Sequence, residues 1–176
     1  MADIRRISPS GAHDEAVILA IGGNLAGDYP SLEALLEAAL SELPRAGLRP
    51  LTRSSWWRSA AWPDPSDLPY LNAVTIVETS LSPRAVLDAL LGLEARFGRG
   101  RSAPNAPRTL DLDLIAYGRQ VLREPGLTLP HPRAHERRFV MGPLAEIAPA
   151  WRHPVLGATA AELFERAEVG RDAAPL

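Results

Sequence analysis

The run "PRTLDLDLIAYG", Pro107 to Gly118, alternates like a strand and carries charge where a strand rarely does. Leu110, Leu112 and Leu114 alternate with Thr109, Asp111, Asp113 and Ile115, the period-two pattern of a strand with one buried face. Asp is depleted in strands, and like charges one pleat apart on one face repel. Arg108 stands directly before the pair. The stretch closes a series of elements, so reading it as a strand settles the fold.

Upstream, "EAVILAIGG" (Glu15 to Gly23) reads as an apolar strand ending in a Gly-Gly turn. Asp28 and Pro30 are expected to open a helix with Leu32, Leu35, Leu36, Ala39 and Leu40 inward and Pro44 beyond its end. "LRPLTRSSWWRS" (Leu48 to Ser59) reads as one strand, and "YLNAVTIVETS" (Tyr70 to Ser80), after a proline-rich loop, as another. Ser82 and Pro83 cap a helix running through Phe97, with Gly98 past its end and Val86, Leu87, Leu90, Leu91 and Leu93 as its buried stripe. The order through Gly118 is therefore β-α-β-β-α-β, a ferredoxin-like α+β arrangement of two layers, helix on sheet. Additional C-terminal elements follow: a short strand near "LTLP" (Leu127 to Pro130), a helix around Arg137 to Ile147, and one opened by a Thr159/Glu162 capping box and running to about Ala167. Residues 1–14 read as a flexible extension and 15–172 as a single domain.

Composition removes several chemistries. The 176 residues, 46% hydrophobic, suffice for one domain with a proper core. There is no Cys, which excludes disulfides, thiolate catalysis and Cys-bound zinc. All 19 basic residues are Arg, so a Walker A loop, a Schiff-base lysine and a β3-lysine kinase are excluded as well. A net charge of −2 gives no reason to expect nucleic acid. No signal-like or membrane-spanning run is present, and a cytoplasmic monomer is expected.

On one strand face the Asp111 and Asp113 Cα atoms stand roughly 6.5–7 Å apart. Both carboxylates can then converge on hard cations such as magnesium, or they are simply solvated. Arg96, Arg99, Arg101 and Arg108 lie in the helix end and loop feeding this strand. They either form surface ion pairs or, with the aspartates, hold a metal-bound polyphosphate. Tyr70 and Phe139, on different elements, can sandwich a flat heterocycle whose edge Asn72 reads with donor and acceptor; singly, each can equally be a boundary residue. His131 and His135 have the i, i+4 spacing of zinc ligands, but Pro132 interrupts and no H-E-x-x-H is present.

In order along the chain, "AIGGNL", "SSWWRS", "YLNAV", "LEARFGRGR", "PRTLDLDLIAYG", "LTLPHPRAHERRFV" and "PLAEIAP" resemble the 6-hydroxymethyl-7,8-dihydropterin pyrophosphokinase family from about Ala16 to Ala167. The resemblance implies transfer of pyrophosphate from ATP to a pterin alcohol, with release of AMP, in folate biosynthesis. It implies two Mg2+ ions on Asp111 and Asp113, catalytic roles for Arg99 and Arg108, and ATP contacts from Glu94, Arg99, Arg101, Arg108, His131 and Arg137. It implies pterin contacts from Gly22, Ser59, Trp62, Tyr70, Asn72 and Phe139, with Asn24 beside Gly22. Leu91 stands where relatives often have a base-contacting Gln, Pro132 where Tyr is frequent, and Ser59-Ala60 where Thr-Pro is common. Two alternatives remain: a ferredoxin-like module that binds a metabolite without turnover, and a magnesium nucleotidyltransferase of the same topology.

Overall fold

The computed structural model describes residues 13–98 and 109–176. β1 (Val17–Gly23) lies between two antiparallel partners, β4 (Tyr70–Glu78) and β5 (Asp111–Tyr117). That central position explains its unbroken apolar run: Val17, Leu19 and Ile21 enter one core and Ile18 the other. The sheet order is β5-β1-β4, and on the free edge of β4 lie first β2 (Arg49–Arg53) and then β3 (Trp57–Ser59). A two-residue strand, β8 (Ala174–Pro175), adds to β3, and β6 (Leu122–Glu124) with β7 (Leu127–Leu129) forms a separate hairpin.

α1 (Leu32–Glu42) and α2 (Pro83–Arg96) cover one face of the sheet through Leu35, Leu36, Val86, Leu90 and Leu93. This is the expected two-layer core. α3 (Arg138–Ile147) and α4 (Ala160–Arg166) pack Met141, Leu144 and Leu163 with Ile18, Val74 and Ile115 on the other face, so the C-terminal additions make a third layer. No helix among the described residues is long and apolar enough to cross a membrane.

Local details depart from the sequence reading for identifiable reasons. α1 is capped by Ser31, whose hydroxyl accepts the Ala34 N–H at 3.1 Å; Asp28 and Pro30 belong to the turn before it. The expected strand from Leu48 to Ser59 is split. Ser54 donates its N–H to the Val74 carbonyl at 2.9 Å and accepts the Val74 N–H on its hydroxyl at 3.0 Å, so the side chain takes over the backbone's place in the ladder. Glu146 from α3 then fixes the kink, accepting from Ser55 N, Ser55 Oγ and Trp57 Nε1 at 2.7, 2.7 and 2.9 Å. α2 begins and ends as expected at Ser82 and Gly98, but Leu91 is 52% exposed and the last buried position of the stripe is Glu94. Thr159 and Glu162 do form a reciprocal capping box.

Candidate active site

The two aspartates owe their placement to β5 and its register. Asp111 lies opposite Gly22 and Asp113 opposite Ala20 on β1. Gly22 in turn lies opposite Asn72 on β4, and Asn72 opposite Trp57 on β3. Directly opposed residues of antiparallel strands share a face, so Asp111, Gly22, Asn72 and Trp57 form one row across four strands. Between Ile18 and Leu19 the register slips by one, leaving Ile115 as an extra residue in β5. Ile115 and Ala116 both reach the core under α3. Asp111 and Asp113 share the Ile115 side and so face the same layer, half-buried.

Gly22 has a steric reason to be glycine. A Cβ there would overlap Asn72 Oδ1 and come within 3.0 Å of the Leu71 carbonyl oxygen. The Asn72 amide thus lies across the Gly22 backbone, while its Nδ2 donates to Ser59 Oγ at 3.5 Å. Ser59 is buried and lies opposite Tyr70, which shares the Asn72 face two residues earlier on β4. Phe139, in the first turn of α3, approaches this face from above, with the Arg137 guanidinium 5.8 Å from its ring centre. Asn24, past the β1 end, is buried and donates to the Leu68 carbonyl at 3.1 Å, tying that turn to the proline-rich loop. Trp62 is 72% exposed on the loop.

His131 and Arg137 complete the acidic end. The His131 N–H donates to the Ile115 carbonyl at 2.8 Å, hanging the residue on the outer edge of β5. Its Nδ1 accepts the Arg133 N–H at 3.2 Å, which leaves the proton of the neutral ring on Nε2. Burial, then the positive charge of Arg137, push its pKa down to about 4, against the pull of Asp111. The ring is therefore a neutral donor at pH 7. Burial also lowers the Arg137 pKa, opposed chiefly by Asp113, and a guanidinium keeps its charge regardless. A cavity of about 270 Å³ opens beside Asp113, His131, Pro132, Leu112 and Thr128. A larger one of about 470 Å³ adjoins Ser59 and Ala60 but is lined by neither Tyr70, Asn72 nor Phe139, so it lies outside the row.

Glu94 is 3% exposed, and its Oε1 accepts the Leu112 N–H at 2.7 Å. β5 ends the sheet, and Glu94 satisfies an outward N–H of that edge between the two aspartates. Of the four arginines read with the pair, Arg96 turns instead to Glu42, 3.6 Å away on α1. Arg99, Arg101 and Arg108 lie outside the described residues. His131 and His135 do not converge: His135 packs edge-on against His153 at 5.6 Å. The sequence reading missed Trp57 as a member of the row. Its signal was the alternation Trp57-Arg58-Ser59, visible only once the strand is known to break at Ser54.

The donor set restricts what could bind. Among the described residues no group of three or more His, Cys, Asp or Glu side chains could hold a metal ion. Two carboxylates on one strand suit magnesium, which takes one or two protein oxygens and fills its shell with water and phosphate, and do not suit a dedicated zinc or calcium cage.

Comparison with known proteins bears on the same frame. A Synechocystis sp. 2-amino-4-hydroxy-6-hydroxymethyldihydropteridine pyrophosphokinase is 43% identical over 152 residues, covering 86% of this chain and 75% of its own. The Haemophilus influenzae protein of that name is 42% identical over 131 residues, covering 74% and 79%. Among solved structures, a Plasmodium falciparum HPPK-DHPS chain with pterin and p-hydroxybenzoate superposes with a TM-score of 0.69 at 11% identity. That match covers 86% of this chain but 43% of the parasite chain, and it speaks for the fold alone. Residues 18–149, which contain every strand and helix of the row and its cover through α3, match the profile of one family, and the chain belongs to it: the 7,8-dihydro-6-hydroxymethylpterin-pyrophosphokinases.

Proposed function

We propose that this chain transfers pyrophosphate from ATP to the hydroxymethyl oxygen of 6-hydroxymethyl-7,8-dihydropterin, with residues 15–172 as the catalytic unit. The observation that carries the reading is the row Asp111–Gly22–Asn72. It sets a carboxylate pair two strands, roughly 10 Å, from an amide that can read a heterocycle edge. A flat bicyclic ring with a short arm fills that span. Tyr70 and Phe139 would hold the ring faces, Asn72 with Ser59 its amide-like edge, and the missing Gly22 side chain gives that amide its place.

Asp111 and Asp113 would hold Mg2+, which when bound supplies charge screening at the phosphates and makes the alcohol easier to ionise. Arg137 and the Nε2–H of His131 would bind and orient phosphate oxygens, with Arg99, Arg101 and Arg108 expected on the same anion. In the transfer, the bond from the hydroxymethyl oxygen to the β-phosphorus forms and that from the β-phosphorus to the bridging oxygen breaks. AMP leaves with the bridging oxygen, and the alcohol proton passes to solvent. Orientation carries most of the barrier reduction, so no strong protein base is assigned.

Incubation with ATP, Mg2+ and the pterin alcohol should yield AMP and diphosphorylated pterin in equal amounts. ADP would refute the reading, an adenylated pterin would favour a nucleotidyltransferase, and binding without turnover would favour a sensory module.

A further inference from the structure

The segment Glu168–Leu176 follows α4 and lies beyond the residues matched to the family, yet it touches both walls of the candidate heterocycle slot. At one end, Val169 accepts the Arg138 N–H at 2.8 Å and donates to the Glu136 carbonyl at 3.0 Å, which fixes the start of α3. Gly170, at φ 74°, then passes against the edge of the Phe139 ring: a Cβ there would stand 2.6 Å from Phe139 Cδ1. At the other end, Asp172 Oδ2 accepts the Ala60 N–H, next to Ser59. β8 pairs Ala174 with Arg58 and Pro175 with Trp57, and the Leu176 N–H reaches the Trp56 carbonyl at 2.9 Å.

We infer that Gly170 and Asp172 are positioning residues for the pterin: the strap sets the seat of Phe139 and the Ser59–Ala60 wall relative to one another. The physical basis is that the two walls come from distant elements, α3 and β3. Glu146 already ties the middle of α3 to Ser55 and Trp57; the nine-residue stretch adds bonds at the two positions that border the slot, the start of α3 and Ala60. Asp172 acts on the Ala60 backbone, and Gly170 acts on the Phe139 ring edge at Cδ1, where a Cβ has no room. Asp172 makes its contact at Ala60, away from Arg137, so its replacement leaves nucleotide binding unchanged, whereas Gly170 borders Phe139 and through it Arg137. The inference rests on the reading that Tyr70, Asn72 and Phe139 take the pterin.

The test compares Asp172→Ala, Asp172→Asn and Gly170→Ala with the wild type. It measures pterin dissociation constants, those of a non-hydrolysable ATP analogue with Mg2+, KM and kcat for each substrate, and thermal unfolding. Asp172→Ala should raise the pterin Kd and KM about tenfold with the analogue Kd within twofold. Asp172→Asn, which keeps an acceptor oxygen, should recover most of that loss. Gly170→Ala should weaken pterin binding at least as much. A folded Asp172→Ala protein with unchanged pterin Kd overturns the inference, and so does an equal loss for both ligands. If instead the wild type binds no pterin, the functional reading itself fails, and the two outcomes are distinguishable.

Discussion

Replacing Gly22 by Ala isolates the link between backbone geometry and pterin recognition. The new Cβ would overlap Asn72 Oδ1, lie 3.3 Å from Asn72 Cγ and lie 3.0 Å from the Leu71 carbonyl oxygen. The carbonyl is held in the β1–β4 ladder and cannot swing away, so the Asn72 side chain must leave. Overpacking of this kind costs about 1–3 kcal/mol, which lowers the melting temperature by roughly 4–8 °C for about 2 kcal/mol in a chain of this size. Displacing Asn72 would also remove the bonds proposed for it at the ring edge. Two neutral hydrogen bonds at about 1 kcal/mol each give roughly 2 kcal/mol, or about thirtyfold in pterin affinity. Asp111, directly opposite Gly22, keeps its backbone pairing, so the affinity for an ATP analogue with Mg2+ should stay within twofold. Fluorescence titration of the pterin, calorimetry with the analogue and a thermal melt measure the three quantities. The decisive control is the same substitution made in an Asn72→Ala background, where pterin affinity should fall little further because the shared partner is gone. A folded Gly22→Ala protein that binds pterin like the wild type refutes the assignment of Asn72, and full additivity in the double variant refutes the steric route.

Asp113→Ala should lower kcat on the order of 10³-fold at saturating nucleotide and Mg2+, a loss typical of removing transition-state electrostatics; unchanged kcat at saturating magnesium would count against the carboxylate pair. Glu94→Ala leaves the buried Leu112 N–H without this acceptor, and should cost about 1–3 kcal/mol in chemical denaturation while reducing turnover, since Leu112 sits between the two aspartates. Glu146→Ala strips the acceptor from Ser55 and Trp57 and should destabilise by a similar about 1–3 kcal/mol with little effect on the ATP-analogue Kd. Burial foremost, then His135 and Arg119, holds the His153 pKa down to about 4 from an ordinary 6.5. The unfolded chain then binds the extra proton first, so this stabilisation is complete above pH 6.5 and lost as pH falls towards 4; a His153→Gln protein with the same stability slope between pH 6.5 and 4 would dismiss it.

The elements that the sequence announced clearly are those with local chemistry. Ser82-Pro83 at the head of α2, Gly98 at its end and the Thr159/Glu162 box need only their own backbone, and all three stand as expected. The Ser54 kink did not announce itself, because a hydroxyl standing in for a ladder group depends on Val74, twenty residues away. β8 is two residues long and exists only by pairing with β3, so no periodicity could mark it. The β5 bulge was visible in part: "LIA" at 114–116 interrupts the alternation, and the structure turns both Ile115 and Ala116 to one core. At the site, Asp111, Asp113, Gly22, Asn72 and Tyr70 come to one face through register alone. The family resemblance singled out Glu94, but its bond to Leu112 was not legible, since that requires knowing which strand is the edge.

That edge bears on why the aspartates are there at all. Charged residues on edge strands commonly block pairing with a second chain, and such protection could by itself explain an Asp-Leu-Asp strand. On β5, however, Glu94 already caps the Leu112 N–H and the His131 backbone already caps the Ile115 carbonyl. Two of the groups that another chain would need are therefore engaged from inside the molecule. The carboxylates also lie on the face covered by α3, half-buried beside a neutral His131 and a charged Arg137, a setting in which repulsion between them is stronger than at an open edge. Blocking self-association does not require that arrangement, and core packing argues against it. The proposed cation site would use it: Arg137 offsets part of the repulsion, and a hard cation held by both carboxylates would turn the remainder into binding energy.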